Sequence, residues 1–133
     1  MRPQVKSDKT TLLSLVAALS VCETIIALNR LSAAIKWPND VRINGKKVAG
    51  ILLESEADGN KIDFVILGIG INLNTDLNLL SPELRSNSTS VSHELNQSVD
   101  YYAFLKHLFL TLDRHYIKFI NQCINSILSE WKN

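Results

Sequence analysis

The chain has 133 residues, of which 46% are hydrophobic, so it is long enough to form one domain with a buried core. Its 14 basic and 13 acidic side chains leave a formal net charge of +1. Proteins that bind nucleic acid usually carry a strong excess of Lys and Arg to neutralise phosphates. The composition therefore argues against nucleic acid as the main partner.

The cysteines and histidines show no pattern typical of a metal site. Cys22 and Cys123 lie in apolar surroundings and match no metal-binding or redox spacing. They are predicted to be buried thiols in a reducing compartment, which favours the cytoplasm. His93, His107 and His115 are scattered and have no carboxylate at ligand spacing. We expect ordinary surface or core histidines and no bound metal among these residues.

The first predicted element is a long helix from about Lys9 to Asn29, with Ser7 or Asp8 as its N-cap. No apolar run reaches the roughly 18 residues that a membrane span needs. The sequence thus predicts an amphipathic core helix and no membrane partner. Its apolar side chains recur three or four residues apart, at Leu12, Leu15, Val16, Leu19, Cys22 and Ile26.

Strands are predicted in the middle of the chain. A short strand, AAIKW (33–37), is followed by a segment from 41 to 74 that reads as three antiparallel strands. Asn44-Gly45 is a strong signal for a two-residue hairpin turn, and ADGN (57–60) supplies the next turn.

The last third of the chain is predicted to be a loop followed by a helix. Residues 75–98 are rich in Asn, Ser, Leu and Pro, which indicates a loop with one short helix near Val91 to Leu95. Asp100 is the predicted N-cap of a long final helix. A helix, a sheet and a helix in that order predict an α+β fold. The apolar stripe of the final helix comprises Phe104, Leu105, Leu108, Leu112, Tyr116, Phe119, Ile120, Ile124, Leu128 and Trp131.

The second hairpin suggests where a ligand binds. If residues 57–60 form a four-residue loop, Glu56 pairs with Lys61 and the register of both strands follows. One face of the ribbon then carries a lysine beside backbone that is almost bare of side chains. The predicted pairs are Lys47 with Gly70, Ala49 with Gly68 and Ile51 with Ile66, and nearer the turn Leu53 and Phe64 fill the same face.

Glycine weakens a strand interior, so Gly68 and Gly70 require an explanation. One explanation is structural: the glycines allow a bulge or a close helix crossing. The other is functional: they leave room for a negatively charged ligand that Lys47 contacts. We favour the ligand because lysine, glycines and small residues converge there. GIG lacks the third glycine of a dinucleotide-binding fingerprint. Asn72 follows the glycines, in a position for its amide to read the edge of a base.

KWPND (36–40) joins the first strand to this sheet. Pro38 biases Trp37 towards an extended conformation and removes one backbone donor. Asn39 and Asp40 favour a tight turn capped by their side chains. By itself the segment is equally well explained as a loop that carries a tryptophan anchor.

The combination of KWPND, KKVAGIL and GIGIN resembles the central part of the catalytic domain of biotin–protein ligases. The family pattern is K-W-P-N-D, a hairpin, a [K/R]-K-hydrophobic-[A/G]-G-I-L strand and then G-x-G-hydrophobic-N. The flanking helices also fit, so the resemblance covers nearly the whole chain. It implies the fold shared with class II aminoacyl-tRNA synthetases, in which helices flank a mixed, largely antiparallel sheet.

The resemblance implies a two-step reaction. The carboxylate of biotin attacks the α-phosphate of ATP, with Mg²⁺ bound through the nucleotide, and biotinyl-5'-AMP and pyrophosphate form. A lysine in the biotin-carrier domain of a biotin-dependent carboxylase then attacks the activated carbonyl and AMP leaves.

The resemblance also implies roles for single residues. Lys47 matches an essential lysine that contacts the carboxylate and phosphate, and Asp40 matches an aspartate that helps the acceptor lysine lose its proton. Asn39 and Asn72 match asparagines near adenine, and Lys36 is assigned to ribose or phosphate. Trp37 is assigned a structural or stacking role. The walls of the biotin pocket correspond to Lys47, Gly50, Ile51, Leu52, Gly68 and Gly70.

Two family features are absent from residues 1–133: a Gly/Arg-rich loop of the G-R-G-R-x-G kind, upstream of KWPND, and a small C-terminal barrel. MRPQV, at the start, resembles the end of the strand that follows that loop. By strand alternation, Arg42 and Lys46 need not face the site. They are therefore not expected to replace the missing arginines. We expect a partial catalytic domain that depends on a missing N-terminal half or associates with itself.

Two alternatives remain open from the sequence. In the first, the chain is a lipoate ligase-like acyltransferase, although KWPND and KKVAGI argue against this reading. In the second, the chain is a non-catalytic remnant that binds adenylate or a partner.

Overall fold

The computed structural model describes residues 1–3, 9–59 and 61–121. A short 3₁₀ turn, Leu77–Leu79, lies just before the helix that begins at Pro82. In chain order the elements are α1 (Leu12–Asn29), β1 (Ala33–Lys36), β2 (Asp40–Ile43), β3 (Lys46–Asp58), β4 (Lys61–Ile71), α2 (Pro82–Asn87), α3 (Val91–Leu95) and α4 (Tyr101–Ile120).

The four strands form an antiparallel sheet in the order β1-β2-β3-β4. In the turn between β2 and β3, Asn44 and Gly45 both have positive φ, 51° and 79°, as a type I′ turn requires. Outside this ladder, Lys47 and Ser88 form an isolated β-bridge, which is parallel. The predicted α+β fold with a largely antiparallel sheet is confirmed.

α1 is the central helix of the core, but the predicted amphipathic pattern is wrong. Every residue from Leu15 to Cys22 is buried, because the sheet covers one side of the helix and α4 covers another. By length and composition α1 could cross a membrane, yet most of it is buried within this fold, as in a core helix. It begins at Leu12 with Thr11 at the N-cap position. Ser7 and Asp8 lie outside the described residues.

Cys22 is buried on α1, and burial raises the pKa of its thiol to about 12. A thiol with so high a pKa stays protonated at neutral pH and is a poor nucleophile. The prediction of a buried thiol is thus confirmed for Cys22, whereas Cys123 lies outside the described residues.

The predicted cap and position of α4 are confirmed. Oδ1 of Asp100 accepts hydrogen bonds from the N–H groups of Tyr102 and Ala103, at 2.9 and 3.0 Å. Ile120 is exposed rather than part of the stripe, and Ile124, Leu128 and Trp131 lie outside the described residues. The buried residues of α4 are Phe104, Leu108, Thr111, His115 and Phe119.

The segment between the sheet and α4 holds more structure than its composition suggested. α3 occupies the predicted range, but α2 and the 3₁₀ turn were not predicted. Ser81 caps α2, and Arg85 donates to the carbonyls of Leu77, Asn78 and Leu80. These contacts fold the segment back on itself, which a count of loop-forming residues does not show.

A histidine–carboxylate pair joins α1 to α4, between residues too far apart in the sequence for spacing to indicate it, and His115 is one of the expected core histidines. Nε2 of the buried His115 lies 2.8 Å from Oε2 of Glu23, and Arg114 binds the other carboxylate oxygen. Burial raises the pKa of Glu23, but the hydrogen bonds and charges of His115 and Arg114 outweigh burial and lower that pKa overall.

The lowered pKa of Glu23 predicts a dependence of stability on acid pH. A carboxyl whose pKa is lower in the folded state stabilises the fold above the pKa of the unfolded state, and this contribution is lost as pH falls through the folded pKa. We expect Glu23→Gln to lose less stability than the unmodified chain between about pH 6 and about pH 3. Urea unfolding at both pH values measures this difference.

Asp113→Asn is the matched control, because Asp113 lies on the exposed side of α4 and makes no ion pair with a described residue. An equal loss of stability for Glu23→Gln and the unmodified chain would contradict the assignment.

Candidate functional site

The register of β3 and β4 differs from the predicted one. Asp58 pairs with Lys61, so the turn is shorter than four residues, and a further shift lies between Glu56 and Ala57. Gly59 has a φ of 59°, which allows this tight turn. The predicted pairs of Lys47 with Gly70, Ala49 with Gly68 and Ile51 with Ile66 are wrong. The observed pairs are Gly50 with Gly70, Ile51 with Ile69 and Leu52 with Gly68.

A β-bulge in β3 determines the direction of Lys47. The register of β2 against β3 shifts between Val41 and Arg42, which leaves Val48 as an extra residue. Val48 and Ala49 are consecutive, and both are buried in the core. Lys47 therefore lies on the face opposite to Ala49, and the predicted grouping of these two residues is wrong.

Lys47 lies above a row of residues that crosses the whole sheet. Lys36, Asp40, Gly50 and Gly70 are direct cross-strand neighbours from β1 to β4, so they share one face. A Cβ atom placed on Gly50 would lie 3.1 Å from both Cε and Nζ of Lys47. We call this side of the sheet, away from α1, the open face. The prediction of a lysine beside bare backbone is confirmed, but the small residue next to Lys47 on this face is Gly50 and not Ala49.

Packing within the described chain does not require glycine at positions 68 and 70. A Cβ on Gly70 would meet only the carbonyl oxygen of Gly50, at 3.8 Å, and one on Gly68 would make ordinary contacts with Leu52. Neither glycine has positive φ, and neither lies at a register shift. The explanations by a bulge or a close helix crossing therefore fail for the described residues, and a ligand remains the favoured explanation.

Asp40 is the centre of the charged contacts on the open face. Nζ of Lys47 lies 2.7 Å from Oδ1 of Asp40, and Nη2 of Arg42 lies 3.6 Å from Oδ2. Arg42 also donates to the carbonyl of Gly45, at 2.9 Å, so it links Asp40 to the hairpin turn. Arg42 therefore does face the site, because it stands two residues after Asp40 on the same strand.

Two hydrogen bonds between Asn39 and Ile51 hold the KWPND loop against β3. The carbonyl of Asn39 accepts from the N–H of Ile51 at 2.9 Å, and Nδ2 of Asn39 donates to the carbonyl of Ile51 at 3.1 Å. The side chain of Ile51 is 3% exposed and packs in the core, so only its main chain is near the open face. Trp37, which forms a cis peptide with Pro38, is 55% exposed and is therefore not a buried anchor.

Asn72 follows β4 at the end of the glycine-containing segment. The N–H of Asn72 donates to the carbonyl of Val48 at 2.8 Å. The carbonyl of Asn72 accepts from the N–H of Val91 at 2.9 Å. Its Oδ1 accepts from the hydroxyl of Thr75 at 3.4 Å. By strand alternation its side chain shares the open face with Gly70.

A pocket of about 430 Å³, separate from the open face, lies near the hairpin turn between β2 and β3. The lining includes Lys46 but none of the predicted site residues, which agrees with Lys46 and Lys47 facing apart. No sequence signal indicated this pocket. Its lining residues are Lys46, Thr75, Asp76, Leu77, Asn78, Arg85, Ser90, Ser92, His93 and Asn96. Within residues 1–3, 9–59 and 61–121, no group of three His, Cys, Asp or Glu side chains could hold a metal ion.

Comparison with known proteins identifies a family. The family model described as "Biotin/lipoate A/B protein ligase family" matches residues 1–72. The bifunctional ligase/repressor BirA of Bacillus subtilis is 35% identical over 133 residues, which are 100% of this chain and 41% of that protein. The biotin–[acetyl-CoA-carboxylase] ligase of Paracoccus denitrificans is 48% identical over 75 residues, 55% of this chain and 31% of that protein.

Solved structures show the same fold. The biotin protein ligase from Aquifex aeolicus in complex with biotin and ATP superposes with a TM-score of 0.69 and 29% identity. The match covers 84% of this chain and 45% of that chain. This chain thus spans less than half the length of each of these three proteins.

The open space above Gly70 predicts the effect of adding a side chain there. Gly70→Val should fold with at least the stability of the unmodified chain, because a β-branched residue suits a strand and no described atom obstructs its Cβ. Gly45→Val is the matched control: no atom lies within 4 Å of its Cβ, but φ is +79°. The control should lose about 1 kcal/mol or more. Urea titration that found Gly70→Val as destabilised as the control would show that packing requires this glycine.

Proposed function

Because the chain belongs to the biotin/lipoate A/B protein ligase family, we propose that it forms part of the catalytic domain of a biotin–protein ligase. The proposed reaction joins biotin to AMP from ATP and then transfers biotin to a lysine of a carboxylase biotin-carrier domain. Relatives named as biotin ligases, and a solved relative that contains biotin and ATP, support this proposal. The cytoplasm, which contains ATP and is reducing, is the proposed location.

The observation that carries the proposal is Lys47 above Gly50 and its cross-strand partner Gly70. Its ammonium group is partly exposed while it contacts Asp40 at 2.7 Å, and an ammonium has three donors. A carboxylate or phosphate lying on the glycines would therefore receive a charge-assisted hydrogen bond from Lys47. A fixed cation at this point would stabilise the negative charge that develops as the carboxylate attacks the α-phosphate.

Asp40 is proposed to act in the second step. Its Oδ1 is adjacent to Nζ of Lys47, and hence adjacent to any carbonyl that Lys47 holds. An acceptor lysine must lose a proton before it can attack that carbonyl, and a carboxylate within hydrogen-bonding reach can accept it. The contact with Arg42 would keep Asp40 oriented while Lys47 binds the ligand.

The remaining proposed contacts divide between biotin and the nucleotide. Gly50, Gly68 and Gly70 would form the floor under biotin. Leu52 lies opposite Gly68 on the open face and is 62% exposed, so its side chain can form an apolar wall. Ile51 would contribute main chain only.

On the nucleotide side, Asn39 and Asn72 are proposed to lie near adenine, with Lys36 at ribose or phosphate. Nδ2 of Asn39 donates to β3, so its Oδ1 is the atom available to a base amino group. Mg²⁺ is proposed to arrive bound to the nucleotide phosphates, where it would neutralise part of their charge.

Lipoate is the second candidate substrate, because the matching family model covers both biotin and lipoate ligases. Calorimetry with biotin and with lipoate would separate the two activities. A non-catalytic role in binding adenylate or a partner would appear as binding without turnover.

The proposal predicts that residues 1–133 alone catalyse negligible exchange of pyrophosphate into ATP in the presence of biotin. Adenylation needs several fixed cations around the phosphates and a site closed to water, and on the open face the side chains of Leu52 and Lys47 are exposed to solvent. An upstream segment that carries a Gly/Arg-rich loop, fused or added separately, should restore exchange. Robust exchange by the isolated chain would contradict this prediction, because other residues would then supply the phosphate contacts.

The two adjacent lysines provide a test of the assigned site. In the restored enzyme, Lys47→Ala should reduce adenylation about a hundredfold or more, the scale for losing one charge-stabilising donor. Lys46→Ala is the matched control and should change the rate little, because Lys46 lines the other pocket. Similar losses for both variants would mean that the open face is not the site.

The Gly70→Val variant extends the folding test to ligand binding. If Gly70 is bare to admit a ligand, the folded variant should fail to bind a biotinyl-5'-AMP analogue in the restored enzyme. Normal binding measured by calorimetry would remove Gly70 from the proposed pocket.

A further inference from the structure

The side of α4 that faces away from the core carries a stripe of exposed apolar side chains. Tyr102, Phe109, Leu110 and Ile117 are between 46% and 81% exposed. Seven residues separate Tyr102 from Phe109, and seven separate Leu110 from Ile117. Because seven residues make nearly two helical turns, the four side chains lie along one side of the helix. A single exposed apolar residue is common, but a continuous row of them is typical of a surface that binds another protein chain.

Two charged residues lie within this stripe. Lys106 is one turn from Tyr102 and from Leu110, and Asp113 is one turn from Leu110 and from Ile117. Both charged side chains are exposed, and neither forms an ion pair with any residue that the structure describes. They do not pair with each other, because only residues three or four apart are neighbours on a helix surface. Both charges are therefore available to a partner.

The two charges are placed symmetrically about the middle of the stripe. Lys106 precedes Phe109 by three residues, and Asp113 follows Leu110 by three residues. If two α4 helices met antiparallel at this midpoint, Lys106 of each copy would lie at the level of Asp113 of the other. A parallel pair would instead bring lysine to lysine and aspartate to aspartate, and like charges repel. The charges thus favour an antiparallel pair.

We propose that this stripe binds the same stripe of a second copy, with the two α4 helices antiparallel about a twofold axis near Phe109 and Leu110. A twofold interface must be complementary to itself, and opposite charges equally spaced about one point satisfy that condition. The apolar ends of the stripe agree with this arrangement, because Tyr102 of one copy would lie at the level of Ile117 of the other. This self-complementarity favours a second copy over an unrelated protein as the occupant.

The position of α4 leaves the candidate ligand site accessible in such a pair. α1 lies between the sheet and α4, so the open face of each copy would point away from the other copy. Contact through one helix of each copy corresponds to the smallest class of specific interface, below about 1,200 Å² in total. We therefore expect a weak dimer that dissociates on dilution.

Exchange of the two charges provides the test. Sedimentation of residues 1–133 over about a hundredfold range of concentration should show a monomer–dimer equilibrium. Lys106→Glu and Asp113→Lys each bring like charges together across the pair, so each should weaken the dimer at least about tenfold. The double variant Lys106→Glu/Asp113→Lys again has opposite charges at both levels, and its dimer should be about as stable as that of the unmodified chain.

A second variant tests the apolar contact. Leu110→Gln removes an apolar side chain from the middle of the pair in both copies and should weaken the dimer at least about tenfold. Leu84→Gln is the matched control, because Leu84 is a leucine of similar exposure that lies on α2, outside the stripe. Every substituted side chain is exposed, so the variants should fold, and circular dichroism checks this.

A monomer at every concentration would overturn the proposal. A dimer that Leu110→Gln leaves unchanged would also overturn it, because another surface would then hold the two copies together. If the single charge variants had no effect, or if the double variant remained as weak as they are, the antiparallel arrangement would be wrong. None of these measurements needs biotin or ATP, so their outcome does not depend on the proposed function.

Discussion

The β-bulge at Val48 is the constraint on which the position of the candidate chemistry depends. Strict alternation would place Lys47 on the same face as Ala49, among the residues that pack against α1. Burial of an unpaired ammonium there would cost several kcal/mol. The extra residue lets both Val48 and Ala49 enter the core and places Lys47 on the open face, next to Asp40.

The core explains why the other face of the sheet is free for a ligand. α1 is buried on nearly all sides because it lies between the sheet and α4. The apolar side chains on the side of the sheet that faces α1 thus pack against that helix. On the far side, Gly50, Gly68 and Gly70 replace side chains with bare main chain, so the charged row of Lys36 and Asp40 borders open space.

The open face extends to β4, the last strand of the sheet. Gly68 and Gly70 belong to the open face, whereas at the sheet edge no described residue hydrogen bonds to the outward main-chain groups of Leu67 and Ile69.

The sequence by itself determined the features that depend on neighbouring residues. The Asn44-Gly45 turn and the Asp100 cap follow from local φ preferences and short-range hydrogen bonds, and the KWPND and GIGIN segments indicated the family. Only the tertiary structure decided the registers, because these depend on one extra residue at Val48 and on a tight turn at Gly59. It also brought Glu23 to His115 from 92 positions away, since contacts between helices depend on how the whole core packs.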